Sequence, residues 1–169
     1  MKWPNPPLEV LVIAHVAAFS LAATAGAFHG PILAEPRTAG PLLEEFHRIG
    51  THNIRALVLL VATNIPLVGS AGLFLFLLNG YLFGRMLAGS AAPTVWVWLY
   101  APLEVGAFAL GASASMRIGL AIVRWLAGNE GPDRPALEES TAAVAVAFGG
   151  IGLAALLEAA AILKAWGTG

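Results

Sequence analysis

Polar residues interrupt this chain at wide intervals, and the apolar runs between them have the length of bilayer crossings. Leu8 to Phe28 is the first run, close to the roughly 20 residues that span a hydrocarbon core. Within it His15 is followed by Ala18, Ala22 and Gly26 at helical spacing, so the imidazole shares a face with small side chains. Residues 29–50 are the most polar part, punctuated by Pro31, Pro36, Gly40 and Pro41. Inside it, residues 41–50 read as a short amphipathic helix, because Leu42, Phe46 and Ile49 share one face. Such a helix is too short and charged to cross and is expected to lie along the membrane surface.

Residues 52–88 are apolar for longer than one crossing requires. A single helix there would exceed about 50 Å. Asn64, Pro66, Gly69 and Ser70 mark the expected break, giving two short spans over 52–66 and 69–88; the alternative is one long, kinked and tilted helix. The second carries Gly80 and Gly84 in a GxxxG pair that permits close helix approach. Residues 91–93 turn the chain, and Trp96, Trp98 and Tyr100 form an interfacial aromatic belt. A fourth span is expected over 98–126, with the part before it re-entrant or interfacial. A polar loop follows over 128–140. The last span, 141–166, places Gly150, Ala154 and Glu158 at i+4 spacing and ends on Lys164 and Trp166. The pattern predicts an all-α fold: one domain, a polytopic transmembrane helical bundle of about five spans plus one interfacial amphipathic helix.

Composition agrees. Hydrophobic residues make up 58% of the 169 residues and charged residues 11%, against roughly 25% charge in a soluble domain. The lipid bilayer is therefore the first partner. A net charge of −1 gives no reason to expect nucleic acid. The absence of cysteine excludes disulfides and thiolate chemistry. Lys and Arg divide about equally between the two sides, so the positive-inside rule assigns no orientation.

The stretch from Tyr100 to Gly119 carries the chemistry. Ala107, Gly111, Ser115 and Gly119 form a small-residue ridge at i+4, and Glu104 lies within about 20° of Gly111 and Ser115. Its carboxylate is therefore expected in a helix–helix seam. Arg117 falls about 220° around and about 20 Å along the axis. Either the helix breaks near Pro102 or Gly106, or each charge finds a partner elsewhere. Ionisable groups inside a bilayer cost about 2.5–3.5 kcal/mol on insertion scales, which makes Glu104, Arg117, Glu158 and His15, with Asn64, the candidates for an intramembrane polar path. Asn53, Asn79, Gly80, Gly84, Ala107, Gly111, Ser115 and Gly119 are the candidate packing positions. His29, His47 and His52 with Glu44 and Glu45 do not suggest a metal site, since His47 and His52 are five apart rather than four. No phosphate loop, nucleophile elbow or cofactor motif is present, so neither an enzyme nor a cofactor is expected.

This central stretch resembles the C-terminal motif of the SpoIIM (stage II sporulation protein M) family, approximately His-Gly-x-x-Glu-x-Pro-Ala followed by a Gly/Ala-rich run ending Leu-Arg-x-Gly. Glu104, Ala107, Arg117 and Gly119 stand at the matching places, and Asn53 and Asn79-Gly80 match two further family features. Tyr100, Ala101 and Gly106 replace the family's His, Gly and Pro. The resemblance implies a multi-pass cell-membrane protein without enzymatic chemistry, whose namesake works with peptidoglycan hydrolases during engulfment. The expected function is a scaffold that assembles with itself, as a dimer, or with other membrane proteins through its small-residue seams. The alternative is a small ion or proton channel or transporter in which Glu104, Glu158 and His15 converge.

Overall fold

A computed structural model describes residues 6–30, 41–89, 94–128 and 133–166. The Pro31–Gly40 segment and the turn at 91–93 lie outside the described residues, as do the side chains of Trp96 and Trp166. The described residues form five helices: α1 (Leu8–Phe28), α2 (Leu42–Asn64), α3 (Ser70–Gly89), α4 (Thr94–Leu126) and α5 (Arg134–Trp166). Three segments, Leu8–Phe28, Val97–Leu126 and Arg134–Lys164, are long and apolar enough to cross a membrane; Gly72–Ala88 is apolar but shorter.

Proline and capping chemistry set most of the helix starts. Pro7 and Pro41 occupy the N-cap positions of α1 and α2. Asp133 accepts the Ala136 amide through Oδ1, and Pro135 sits in the first turn of α5, where its missing N–H costs nothing. Residues 134–140 are therefore helix rather than the expected loop. The amphipathic segment 41–50 is likewise not a separate surface helix. It runs through Gly50 into α2 without a break, and Gly50 packs closest to Ala155 of α5, with 3.7 Å available to an added Cβ. Pro102 does not break α4 either; it lies exposed in the early turns, and the helix continues through Gly106.

The break between α2 and α3 falls between Asn64 and Ser70. Val68 and Gly69 both adopt positive φ (48° and 88°), and the Gly69 amide returns to the Asn64 carbonyl. Any side chain at 69 would strike Met116 of α4.

α4 is the central helix, packing on α1, α2 and α5 and more lightly on α3. Ala109, Ala112 and Ala114 on it are fully buried. The outside of the bundle is strongly apolar, with Ile13, Leu21, Phe28, Leu43, Phe74 and Leu126 all widely exposed. A water-facing monomer rarely shows so continuous an apolar surface.

The helices meet at glycine. A Cβ at Gly84 would overlap the Ala23 carbonyl of α1, one at Gly26 would overlap the Tyr81 carbonyl of α3, and one at Gly80 would come within 2.6 Å of the Phe19 carbonyl. On α4, Gly119 abuts the Ile65 carbonyl and Gly111 abuts Leu57. Ala107 packs against Gly150 of α5. Gly84→Ala is expected to cost more than the ~1–3 kcal/mol of ordinary overpacking, because the obstacle is backbone. Gly152, with nothing within 4 Å of an added Cβ, is the matched control. Unfolding in detergent should show a clear loss for Gly84→Ala and none for Gly152→Ala.

Candidate functional site

The polar residues inside the bundle divide into those that are satisfied and those that are not. Asn64 belongs to the first group. It is fully buried at the end of α2. Its Oδ1 accepts the Gly72 amide at 2.6 Å, and its Nδ2 donates to the Ala112 carbonyl at 2.9 Å and to Ser115 Oγ at 3.2 Å. Gly72 lies in the first turn of α3, where amides have no partner within the helix. Asn64 thus caps α3 from outside and ties it to α4. The Ser115 hydroxyl donates back to the Gly111 carbonyl at 2.8 Å. A side chain at 72 would occupy the space of the Asn64 carboxamide.

His15 is also settled. Its Nδ1 lies 2.8 Å from the Leu11 carbonyl and 3.1 Å from Ser113 Oγ. The carbonyl can only accept, so Nδ1 carries the proton in this arrangement. The ring stands edge-on to Phe76, with centroids 5.4 Å apart. Arg117 reaches Glu139 of α5 through NH1 at 2.8 Å, and the exposed half of that pair is the glutamate. Of the two alternatives the sequence left open, this is the partner elsewhere. Glu158, half-buried on α5, and Glu104 both act electrostatically on Tyr100. His15, Arg117, Glu158 and Asn64 do not share a cavity with Glu104.

Glu104 itself lines a cavity of about 400 Å³ between α2, α3 and α4, closed on one side by Phe19 of α1. Leu60, Phe76, Phe83 and Phe108 supply much of its apolar wall, and His52, Asn53, Asn79 and Glu104 its polar groups. Glu104 therefore faces a cavity rather than a tight seam. Its carboxyl has no hydrogen bond or ion pair among the described residues. Asn53, only 6% exposed, leaves Nδ2 without an acceptor. Asn79 bonds only its own helix, at the Leu75 carbonyl, so it joins no second helix.

His52 also borders an open groove on the outer face of α2, formed by Glu44, His47, Arg48, Thr51, His52 and Arg55. Arg48 donates Nε and NH2 to Glu45 Oε2, at 3.2 and 2.7 Å. Arg55 is exposed and has no ion pair among the described residues. Arg55 escaped the sequence reading because dividing 41–50 from 52–66 cut its stripe in two. Positions 44, 48, 51 and 55 recur at i+4 and i+3 and mark one face once α2 is continuous. The described residues include no cluster of three or more potential metal ligands.

No family model, curated protein or solved structure matches the chain.

Because Asn64 serves three partners at once, Asn64→Leu should destabilise the protein by roughly 1–3 kcal/mol, the cost of orphaning buried polar groups. Asn79→Leu, losing one local bond, should be nearly neutral. Reversible unfolding in mixed micelles measures both.

Proposed function

We propose that this chain is a multi-pass membrane protein, not an enzyme, that binds an amphipathic small molecule in the cavity between α2, α3 and α4. The observation that carries the reading is the cavity's make-up: apolar and aromatic walls with a few converging polar groups, one of which, Asn53, leaves a buried donor without an acceptor. Ligand sites commonly have this constitution. A cleft of the same size with no occupant would more simply be collapsed or filled by larger side chains.

The small-residue seams support binding less directly. Gly80, Gly84, Gly111, Ser115 and Gly119 pack against the chain's own helices, so they are not available as contacts to a second subunit. Self-assembly through those seams therefore loses its surface. A conducting path through Glu104, Glu158 and His15 loses its continuity, because only Glu104 lines the cavity. A scaffold of the SpoIIM type is the second reading. It is favoured by the spaced match of Glu104, Ala107, Arg117 and Gly119, and it would use surfaces other than the seams.

Photolabelling in native-like bilayers with a diazirine-bearing alkyl probe tests the binding reading. Adducts are expected on cavity residues such as Leu60 and Phe83, and Ala56→Trp, which fills the cavity, should remove them while leaving adducts on lipid-facing Phe74. Labelling confined to Phe74, Leu153 and similar outer positions would contradict it.

A further inference from the structure

We propose that the ligand is a single-chain anionic amphiphile, its oxygen-rich head held on the outer face of α2 and its tail lying in the α2–α3–α4 cavity. This inference rests on the binding reading above and assigns the ligand's chemistry.

The two sites adjoin. His52 borders both the apolar cavity and the open groove of Glu44, His47, Arg48, Thr51 and Arg55. A molecule seated across that residue meets hydrocarbon on one side and a set dominated by donors on the other. The groove offers two guanidiniums and two imidazoles against one exposed carboxylate, Glu44. Glu45 is buried and takes the Nε and NH2 edge of Arg48. Arg55 has its whole fork unengaged by any ion pair among the described residues. Guanidinium forks match phosphate and carboxylate oxygens in planar, bidentate geometry.

The third observation comes from inside the cavity. Asn53 is one residue from His52, its side chain is more than nine-tenths buried, and its Nδ2 lacks an acceptor. A donor left open there calls for an acceptor on the ligand, such as a phosphate or ester oxygen near the head–tail junction. A cationic amphiphile would satisfy neither Asn53 nor Arg55.

Depth is consistent with a lipid-like guest. Arg55 lies eleven residues along α2 from Glu44, about 16 Å, and a long arginine can extend its head toward the interface from below. Exposed Leu42 and Leu43 before the stripe and exposed Val58 and Leu59 after it bracket the charged face with apolar surface. Glu104, on the α4 wall, offers nothing to an anion when ionised. That keeps the head at the α2 end and leaves the interior to the tail.

Competition against the alkyl photoprobe in nanodiscs of zwitterionic lipid tests the assignment. The competitors are dodecyl phosphate, dodecanol, dodecyltrimethylammonium and inorganic phosphate. Dodecyl phosphate should displace the probe at a concentration at least about tenfold below dodecanol, the margin of one charge-assisted hydrogen bond. Inorganic phosphate alone should not displace it, which separates an amphiphile from a free anion. Arg48→Ala with Arg55→Ala should erase the advantage of the phosphate while leaving dodecanol competition intact, and that intact competition also shows the variant is folded. Arg55→Lys should restore part of it. Equal potency of dodecyl phosphate and dodecanol, or a stronger effect of dodecyltrimethylammonium, overturns the inference while cavity labelling itself stands. Loss of all cavity labelling in the unmodified protein overturns the binding reading instead.

Discussion

The structure depends on backbone meeting backbone. In a hydrocarbon solvent, apolar side chains gain little by leaving lipid for protein, so association rests on dispersion, on hydrogen bonds and on how closely helices can approach. Here α1 and α3 approach until Gly26, Gly80 and Gly84 leave no room for a Cβ, and α4 meets the end of α2 at Gly119 in the same way. Around these contacts the alanines of α4 pack fully buried. Asn64 adds direction to the close fit: one carboxamide fixes the start of α3, the end of α2 and the middle of α4.

Where small residues stop, the packing stops. α3 touches α4 only lightly, and between them stand Phe76, Phe83, Phe108 and Leu60 around the cavity that Glu104 and Asn53 line. The same glycine seams that pull α1 onto α3 and α2 onto α4 hold α3 and α4 apart. The cavity is thus a consequence of which faces are small. A carboxyl and an unsatisfied amide line it, whereas His15 and Asn64 have found protein partners and Arg117 is paired through NH1, with its Nε left without an acceptor.

Much of the helical framework was legible in the chain. Leu8–Phe28 carries its length and its Pro7 start openly, and the Asn64-to-Ser70 interruption combines a proline with a glycine that must take positive φ. What misled was polarity read as boundary. The charges of residues 41–50 suggested a separate surface helix, yet α2 runs straight through Gly50, its low helix propensity offset by the packing of Ile49 and Gly50 on α5. Pro135 suggested a loop, although a first-turn proline is compatible with helix. By length and composition, three segments among the described residues are suited to crossing, where apolar content alone suggested about five. For the site, spacing placed Glu104 beside Gly111 and Ser115 but did not show that the neighbouring helix stands off at that level. That is a tertiary fact, set by large side chains on α2 and α3 that no pattern along α4 reveals.

The side chain at 104 faces the cavity between α2, α3 and α4 rather than the outer surface of the bundle. The chain has no cysteine, so single spin labels can be placed at 104 and at Phe74 in bilayers and their collision rates with lipid-soluble oxygen compared. The account predicts a much lower oxygen accessibility at 104 than at lipid-facing Phe74, together with low accessibility to a water-soluble nickel chelate. Equal oxygen accessibility at the two positions, or full exposure of 104 to the nickel chelate, would contradict it.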